Sequence, residues 1–401
     1  MNPRQALRRL RRRLRALPGT LLASHLPPGW SGYRWVAGET VEEYFQRHAA
    51  SGRESGGSYR ILHPETVVAN PLPGNIADRR QLPAERSWWG YSFFDVPART
   101  SQQTFITTLP DCQVVGYLDT VDDFHVAVLN RDRRALRLRE VTFRTGHGRV
   151  LRSARTTPRL ARATWILERV YHNHSHWLTA HLPKLCLLRE SGGLEHVVLP
   201  ARRSAALDAS LAMLGLDARD FPQFEPVQTL AVEELTLLGT DRFRPELLRP
   251  VRTALVGEGG VPRRRIYISR RHARRRRLCN EVQIWPLFRA AGFERVCMED
   301  LAFPQQVALM AETAMLAAPH GAGLTNMLCC PAGCEVLEIA DLSFPNPNFY
   351  ALAAAMGHRY WLVGAGAVGE GHPLERDMRV DPAHVTDVLQ NMLARAGEAL
   401  A

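Results

Sequence analysis

No apolar run in the sequence approaches the ~18 residues that a helix needs to cross a bilayer, which excludes a polytopic helical membrane protein. No Cys-x-x-Cys pair occurs, and the 7 cysteines are an odd number. Neither a disulfide framework nor a zinc knuckle is favoured, so reduced, cytosolic thiols are the default reading. The opening stretch lacks the apolar core and the small-residue cleavage site of a signal peptide. Acidic residues are missing from two places, 1–19 and 263–277. The first holds seven Arg and the second nine, together more than the net charge of +11, so the rest of the chain is net acidic. Basic patches this concentrated meet phosphate of some kind.

What is present is ample apolar material. The chain has 401 residues, 45% of them hydrophobic and 23% charged. That excludes disorder as a whole and suggests two or three domains at ~150 residues each. In the first basic patch Leu7, Leu10, Leu14 and Leu17 share one helical face, and Pro18-Gly19 ends the helix. It reads either as an interfacial helix on an anionic membrane or as a frayed basic tail. A nucleic-acid arm is disfavoured because nothing else resembles a nucleic-acid module.

Residues 20–60 are rich in Gly, Pro and Ser and read as a loose lead-in. Short β-like runs follow (CQVVGY, FHVAVL, EVTFRT), then an extended run over 163–170, a helix over 177–189, the strand EHVVLP and a helix over 204–215. This part shows no single alternation. The second half is clearer. RIYISR, ERVCM, AMLAA and EVLEI read as strands separated by helices near 280–291 and from Pro304 to about Glu312. Strand–helix units 20–30 residues apart predict crossover connections, a parallel sheet and Rossmann-like topology. The expected division is a basic helix and lead-in over 1–60, a first α/β domain over 61–245, a second over 246–380 and a C-terminal helix over 381–401.

The strongest local signal is Pro319-His320-Gly321-Ala322-Gly323-Leu324-Thr325-Asn326. It lies between a buried strand and a helix, at the edge where α/β ligand sites form. Its glycines permit a close ligand approach, the helix N–H groups face an anion, and His320 and Asn326 add donors. A diphosphate site is the reading, against an ordinary strand-to-helix turn. Glu338 closes the next strand and could accept both hydroxyls of a ribose, or be a solvated strand end. Arg270 and Arg271 follow the first strand of this half and suit phosphate oxygens. Arg274 to Arg277 read as a solvated helix start or loop. Gly364 to Gly369 match a dinucleotide fingerprint, but no helix pattern follows, so that match is a decoy. His172, His174, His176 and His181 fall within ten residues. The first three alternate and would share a face on a strand. Zinc there lacks a ligand pattern such as His-Glu-x-x-His, so polar histidines in a cleft are the preferred reading. No Asp-x-Asp occurs to hold Mn²⁺ or Mg²⁺, which suggests that protein donors neutralise a diphosphate.

At these residues the sequence resembles glycosyltransferase family 61, the bacterial polysaccharide-type members. Three stretches carry the resemblance: NHSHWLTAHLPKL (173–185), YISRRHARRRRLCNE (267–281) and PHGAGLTNMLCCPAGCEVLEI (319–339), with PNPNFYALAAAMGHRYWLVG (345–364) as the continuation. The resemblance covers roughly residues 90–370. It implies a GT-B-like pair of Rossmann-like domains facing a cleft, and an inverting transfer of a sugar from a nucleotide sugar to a glycan or lipid-linked acceptor. No cofactor and no divalent metal are expected. The implied donor site is Arg270, Arg271, His320, Gly321, Ala322, Gly323, Leu324, Asn326 and Glu338. Asn173, Trp177 and His181 would lie on the acceptor side. The family usually places Asp or Glu four residues after the His of its Asn-x-x-His; here that position is Ala180. His176 is then the candidate base, and a catalytically silent nucleotide-sugar or glycan-binding relative is the alternative. The implied location is cytoplasmic, on the inner face of the cytoplasmic membrane through residues 1–19, with no nucleic-acid partner.

Overall fold

A computed structural model describes residues 38–86, 89–153, 156–257 and 259–398. The basic helix expected over 1–19 lies outside the described residues. In chain order the strands are β1 (Ser58–His63), β2 (Thr66–Ala69), β3 (Ala98–Ser101), β4 (Thr104–Leu118), β5 (Phe124–Leu129), β6 (Arg159–Trp165), β7 (Val197–Pro200), β8 (Gln223–Phe224), β9 (Gln228–Gly239), β10 (Arg264–Ile268), β11 (Glu294–Val296), β12 (Thr313–Pro319), β13 (Glu335–Asp341), β14 (Arg359–Val368) and β15 (Asp377–Arg379). The fold is mixed α/β.

The chain forms two compact units, each assembled from separated segments. The first comprises residues up to Pro64 with Gln103–Ser204 and Asp217–Asp241. The second comprises Glu65–Gln102, Ala205–Leu216 and the chain from Arg242 onward. Segments 65–102 and 205–216, read from sequence as part of a continuous first domain, therefore pack in the second unit. The reason is local bonding. The Tyr350 hydroxyl donates to the Pro71 carbonyl at 2.6 Å, and Asn75 brackets Leu362 with two backbone hydrogen bonds. The helix Ala205–Met213 packs on the helix Phe303–Ala311.

The first unit holds a sheet of order β1-β4-β9-β6-β7-β8, with β5 also on β4. It is mixed rather than Rossmann-like. β1, β4, β5 and β9 pair antiparallel, whereas β9, β6, β7 and β8 pair parallel. β4 and β5 are joined by a turn too short for a crossover, so they must run antiparallel. The run EVTFRT is not a strand: Val141 makes only an isolated bridge to Leu138, and a helix starts at Thr145.

In the second unit the predicted alternation appears as a sheet of order β11-β10-β12-β13-β14-β15, parallel from β11 through β14. Tyr267, Met315, Ala317, Leu337, Trp361 and Val363 project from one face into a core closed by the helices Glu281–Ala290 and Pro382–Glu398. Gly364 and Gly366 sit inside β14, and the next element is strand β15 rather than a helix, as expected of a decoy. From β10 the chain moves outward to β11, then returns past β10 to build β12, β13 and β14. The direction reverses between β10 and β12, and ligands of open α/β sheets bind outside the carboxyl ends at such a reversal. Among the described residues no helix is long and apolar enough to cross a membrane.

Candidate active site

The loops after β10 and β12 carry the two stretches singled out from sequence, Arg270 to Arg277 and His320 to Asn326. They meet closely. Arg270 lies flat over Gly321, where a Cβ would stand 2.0 Å from the guanidinium Nη1. Gly321 is extended rather than left-handed, so its missing side chain serves this approach, not the backbone. Arg270 then donates through Nε and Nη2 to the carbonyls of Arg276 and Arg275, both at 2.9 Å. It props up the Arg loop and does not itself line the cavity described below. Arg271 is exposed and lies outside the cavity described below.

Arg276 is partly buried, unlike the solvated position that the sequence suggests. It is a non-glycine residue in the left-handed region (φ 57°), a conformation that costs about 1–3 kcal/mol and concentrates at functional sites. With His320, Asp341, Phe344, Asn346 and Arg376 it lines a small cavity at the carboxyl edge of β12 and β13. Burial draws the Arg276 guanidinium down to about 10, and the neighbouring Arg270 and Arg275 add to that, against a pull from Glu338. The Nε donors of Arg276 and Arg376 are buried with no hydrogen-bond partner among the described residues. Arg376 is otherwise engaged through Nη2, with the Ser343 hydroxyl at 3.0 Å and the Asp341 carboxylate at 3.6 Å, so Arg276 is the cation that most suits an oxyanion in this cavity.

His320 enters this cavity, and Glu338 does not. Glu338 is 0% exposed, on a central strand, and its two carboxylate oxygens take His320 Nδ1 and the Tyr360 hydroxyl, the latter at 2.6 Å. The ribose role read from sequence is thus replaced by a positioning role. The register pairs Ala318 with Glu338 and Glu338 with Leu362, which turns the carboxylate into the layer beneath the ligand edge. His320 keeps Nε2 toward the cavity, 3.3 Å from Asn346 Nδ2. Leu324 and Asn326 are also buried; Asn326 donates to Gln306 at 2.8 Å and ties the short helix Ala322–Cys329 to its neighbour. Ala322 and Gly323 open that helix, and Gly323 packs near Ile268 and Met298. Ser269 and Asn280 of the second stretch are structural, bonded to Glu281 at 2.6 Å and to the Val380 carbonyl at 2.8 Å.

In the first unit His172 lies in a turn and a helix begins at His174, so His172, His174 and His176 do not share the face that a strand would give them. Asn173 caps the turn His174–His176, accepting from the N–H groups of Ser175 and His176. A π-turn follows over Trp177–His181, then the helix Leu182–Glu190. Such turns are frequent at functional sites. His181 is fully buried. Its Nδ1 meets the His176 carbonyl at 3.0 Å and its Nε2 accepts from the Glu168 N–H at 3.0 Å. Burial pulls it down to about 4, so it stays neutral. Trp177, 1% exposed, stacks on it at 5.6 Å. His181 and Trp177 are therefore framework, not acceptor ligands. Ala180 is equally buried, which places the position where the family carries a carboxylate inside the unit. His176 remains only partly buried. Sequence reasoning missed Glu168 altogether. Its carboxylate binds Lys184 at 2.5 Å and Arg139 at 2.7 Å, and although burial alone would raise it, these cations hold it at about 2.

The fold is mixed α/β. Residues 174–337 match the family model Glycosyltransferase 61, from the capped histidine turn to the middle of β13. That stretch is a glycosyltransferase family 61 domain, and the chain that carries it is a glycosyltransferase. No curated protein matches it.

Proposed function

We propose that this glycosyltransferase is inverting and metal-independent, and that it moves a sugar from a nucleotide sugar to a glycan or lipid-linked acceptor in surface-polysaccharide synthesis. The orphaned guanidinium donor of Arg276, with Arg376 and His320 beside it, supports this reading most directly. The donor diphosphate sits against these three groups, with Arg270 propping up the Arg loop, and the acceptor belongs to the first unit, in the GT-B-like manner that the family resemblance implies. In the transfer the acceptor hydroxyl oxygen attacks the anomeric carbon, and the bond to the diphosphate oxygen breaks. The hydroxyl proton goes to a base, and charge growing on the leaving diphosphate is met by the cationic side chains. With Ala180 in the carboxylate position, His176 is the candidate base.

The test is transfer by purified protein across a panel of nucleotide sugars, without added Mg²⁺ or Mn²⁺. At least one donor should be turned over, and His176→Ala should lower kcat by ~10²-fold or more with donor affinity intact. A requirement for Mg²⁺ or Mn²⁺ would remove the metal-independent mechanism. A surviving kcat with a raised acceptor KM would make His176 a positioning residue.

A cytoplasmic site of action at the membrane, where lipid-linked acceptors are assembled, is supported by the seven Arg and the leucine face of residues 1–19. Near an anionic surface each Arg contributes up to ~1 kcal/mol. Full-length protein should therefore sediment with anionic vesicles, and protein lacking residues 1–19 should stay in solution. Equal sedimentation of the two would count against the membrane role.

A further inference from the structure

β10 and β11 are adjacent parallel strands, and the Ser269 N–H donates to the Val296 carbonyl at 2.8 Å. That bond holds the loop after β10 against the residues after β11. His272 from the first and Cys297 and Glu299 from the second bring their ligand atoms within 4.8 Å of one another. Cys297 is buried and carries a free thiol, whereas His272 and Glu299 are reachable from solvent. The Asp300 carboxylate stands 3.8 Å from His272 Nδ1, near the ring but beyond hydrogen-bond distance.

We infer that His272, Cys297 and Glu299 form a zinc site that clips the Arg loop to the β11 edge. The donor set decides the metal. A thiolate and an imidazole select a borderline-soft ion such as Zn²⁺ over Mg²⁺ or Ca²⁺, which take oxygen. Three protein ligands leave the fourth tetrahedral position to water. Binding releases the thiol proton, and thiolate plus carboxylate then cancel the two charges of the ion. A neutral cluster adds no repulsion beside Arg270, Arg271, Arg274 and Arg275. The clip takes no part in bond making. It holds the loop that carries Arg270 and presents Arg276, a consequence that rests on the donor site proposed above, although the metal site itself does not.

The experiment is titration of the metal-stripped full-length protein with Co²⁺, followed by displacement with Zn²⁺. One Co²⁺ per chain should bind with a thiolate-to-cobalt charge-transfer band, and Zn²⁺ should abolish the band and raise Tm. Cys297→Ser should lose the band. His272→Ala and Glu299→Ala change exposed side chains that the fold does not need, and each should weaken binding by about tenfold or more. Cys279→Ser, at the exposed cysteine, should bind as the native protein does. Absence of the band in native protein, or affinity unchanged in His272→Ala and Glu299→Ala, would overturn the site. Nucleotide affinity is a separate readout: it should fall when the metal is stripped, and an unchanged affinity in protein that does bind cobalt would fall on the donor assignment instead.

Discussion

His320→Ala should lower kcat for sugar transfer by about 10²–10³-fold, because with Nδ1–H given to Glu338 it is the imidazolium form that donates from Nε2 to the charge developing on the diphosphate. Three features set the size of the effect. His320 is 8% exposed and is oriented at Nδ1 by Glu338, so Nε2 is the nitrogen left to face the cavity. The cavity already presents the guanidinium groups of Arg276 and Arg376. Glu338 in turn is fixed by the Tyr360 hydroxyl at 2.6 Å, and Tyr360 stacks on Tyr350 at 4.8 Å, so the imidazole stands on a rigid base. Removing the imidazole also leaves a fully buried carboxylate with one partner instead of two, which lowers stability. Kinetics and Tm must therefore be measured together. Tyr360→Phe serves as the comparison, because it removes the other bond to Glu338 and leaves His320 in place. It should reduce kcat far less than His320→Ala for a similar change in Tm. A kcat for His320→Ala within threefold of native, at a temperature where the variant is folded, would exclude His320 from the donor site.

The contrast between His320 and Glu338 shows how much of this site can be read from sequence. The run from Pro319 to Asn326 is legible because small residues and a histidine between a buried strand and a helix have a local cause, and the cause lies in the same dozen residues. The role of Glu338 depends on Tyr360, 22 residues further on and in the next strand. Nothing in EVLEI shows that its carboxylate meets a hydroxyl and an imidazole across two strands. Arg276 fails for a different reason. In a run of four arginines the residue types are equal, and one left-handed backbone turn at Arg276 decides which side chain enters the cavity. The alternation of β10 to β14 was legible because each strand–helix unit is local. The first unit was not, since its central strands β4 and β9 are over a hundred residues apart and pair antiparallel, a pattern set by tertiary contact. The interleaving of the two units has the same origin: the bonds from Pro71 and Asn75 to Tyr350 and Leu362 span more than 250 residues.

Lys184 is the single lysine among 401 residues, in a chain that otherwise uses arginine for its 51 basic side chains of these two types. The structure places Lys184 at 3% exposure against Glu168, also at 3%. Glu168→Ala should therefore destabilise the protein by about 3–5 kcal/mol, because it strands a buried charge rather than merely removing a pair. For a unit of this size that corresponds to a fall in Tm of roughly 6–20 °C. Arg139, the other partner, is one-third exposed and can turn to water, whereas Lys184 cannot. The double variant Glu168→Leu with Lys184→Met removes both buried charges and should recover most of the loss. The pH dependence has a fixed sign. Glu168 is held at about 2 in the folded chain, below its ordinary 4.5, so its stabilising contribution is complete above pH 4.5 and disappears as the pH falls toward 2. Thermal melts of the native, single and double variants at pH 7 and pH 3 check each step. A single variant within 1 kcal/mol of native at pH 7, or a double variant no more stable than the single, would show that the Lys184 charge is accommodated without its carboxylate.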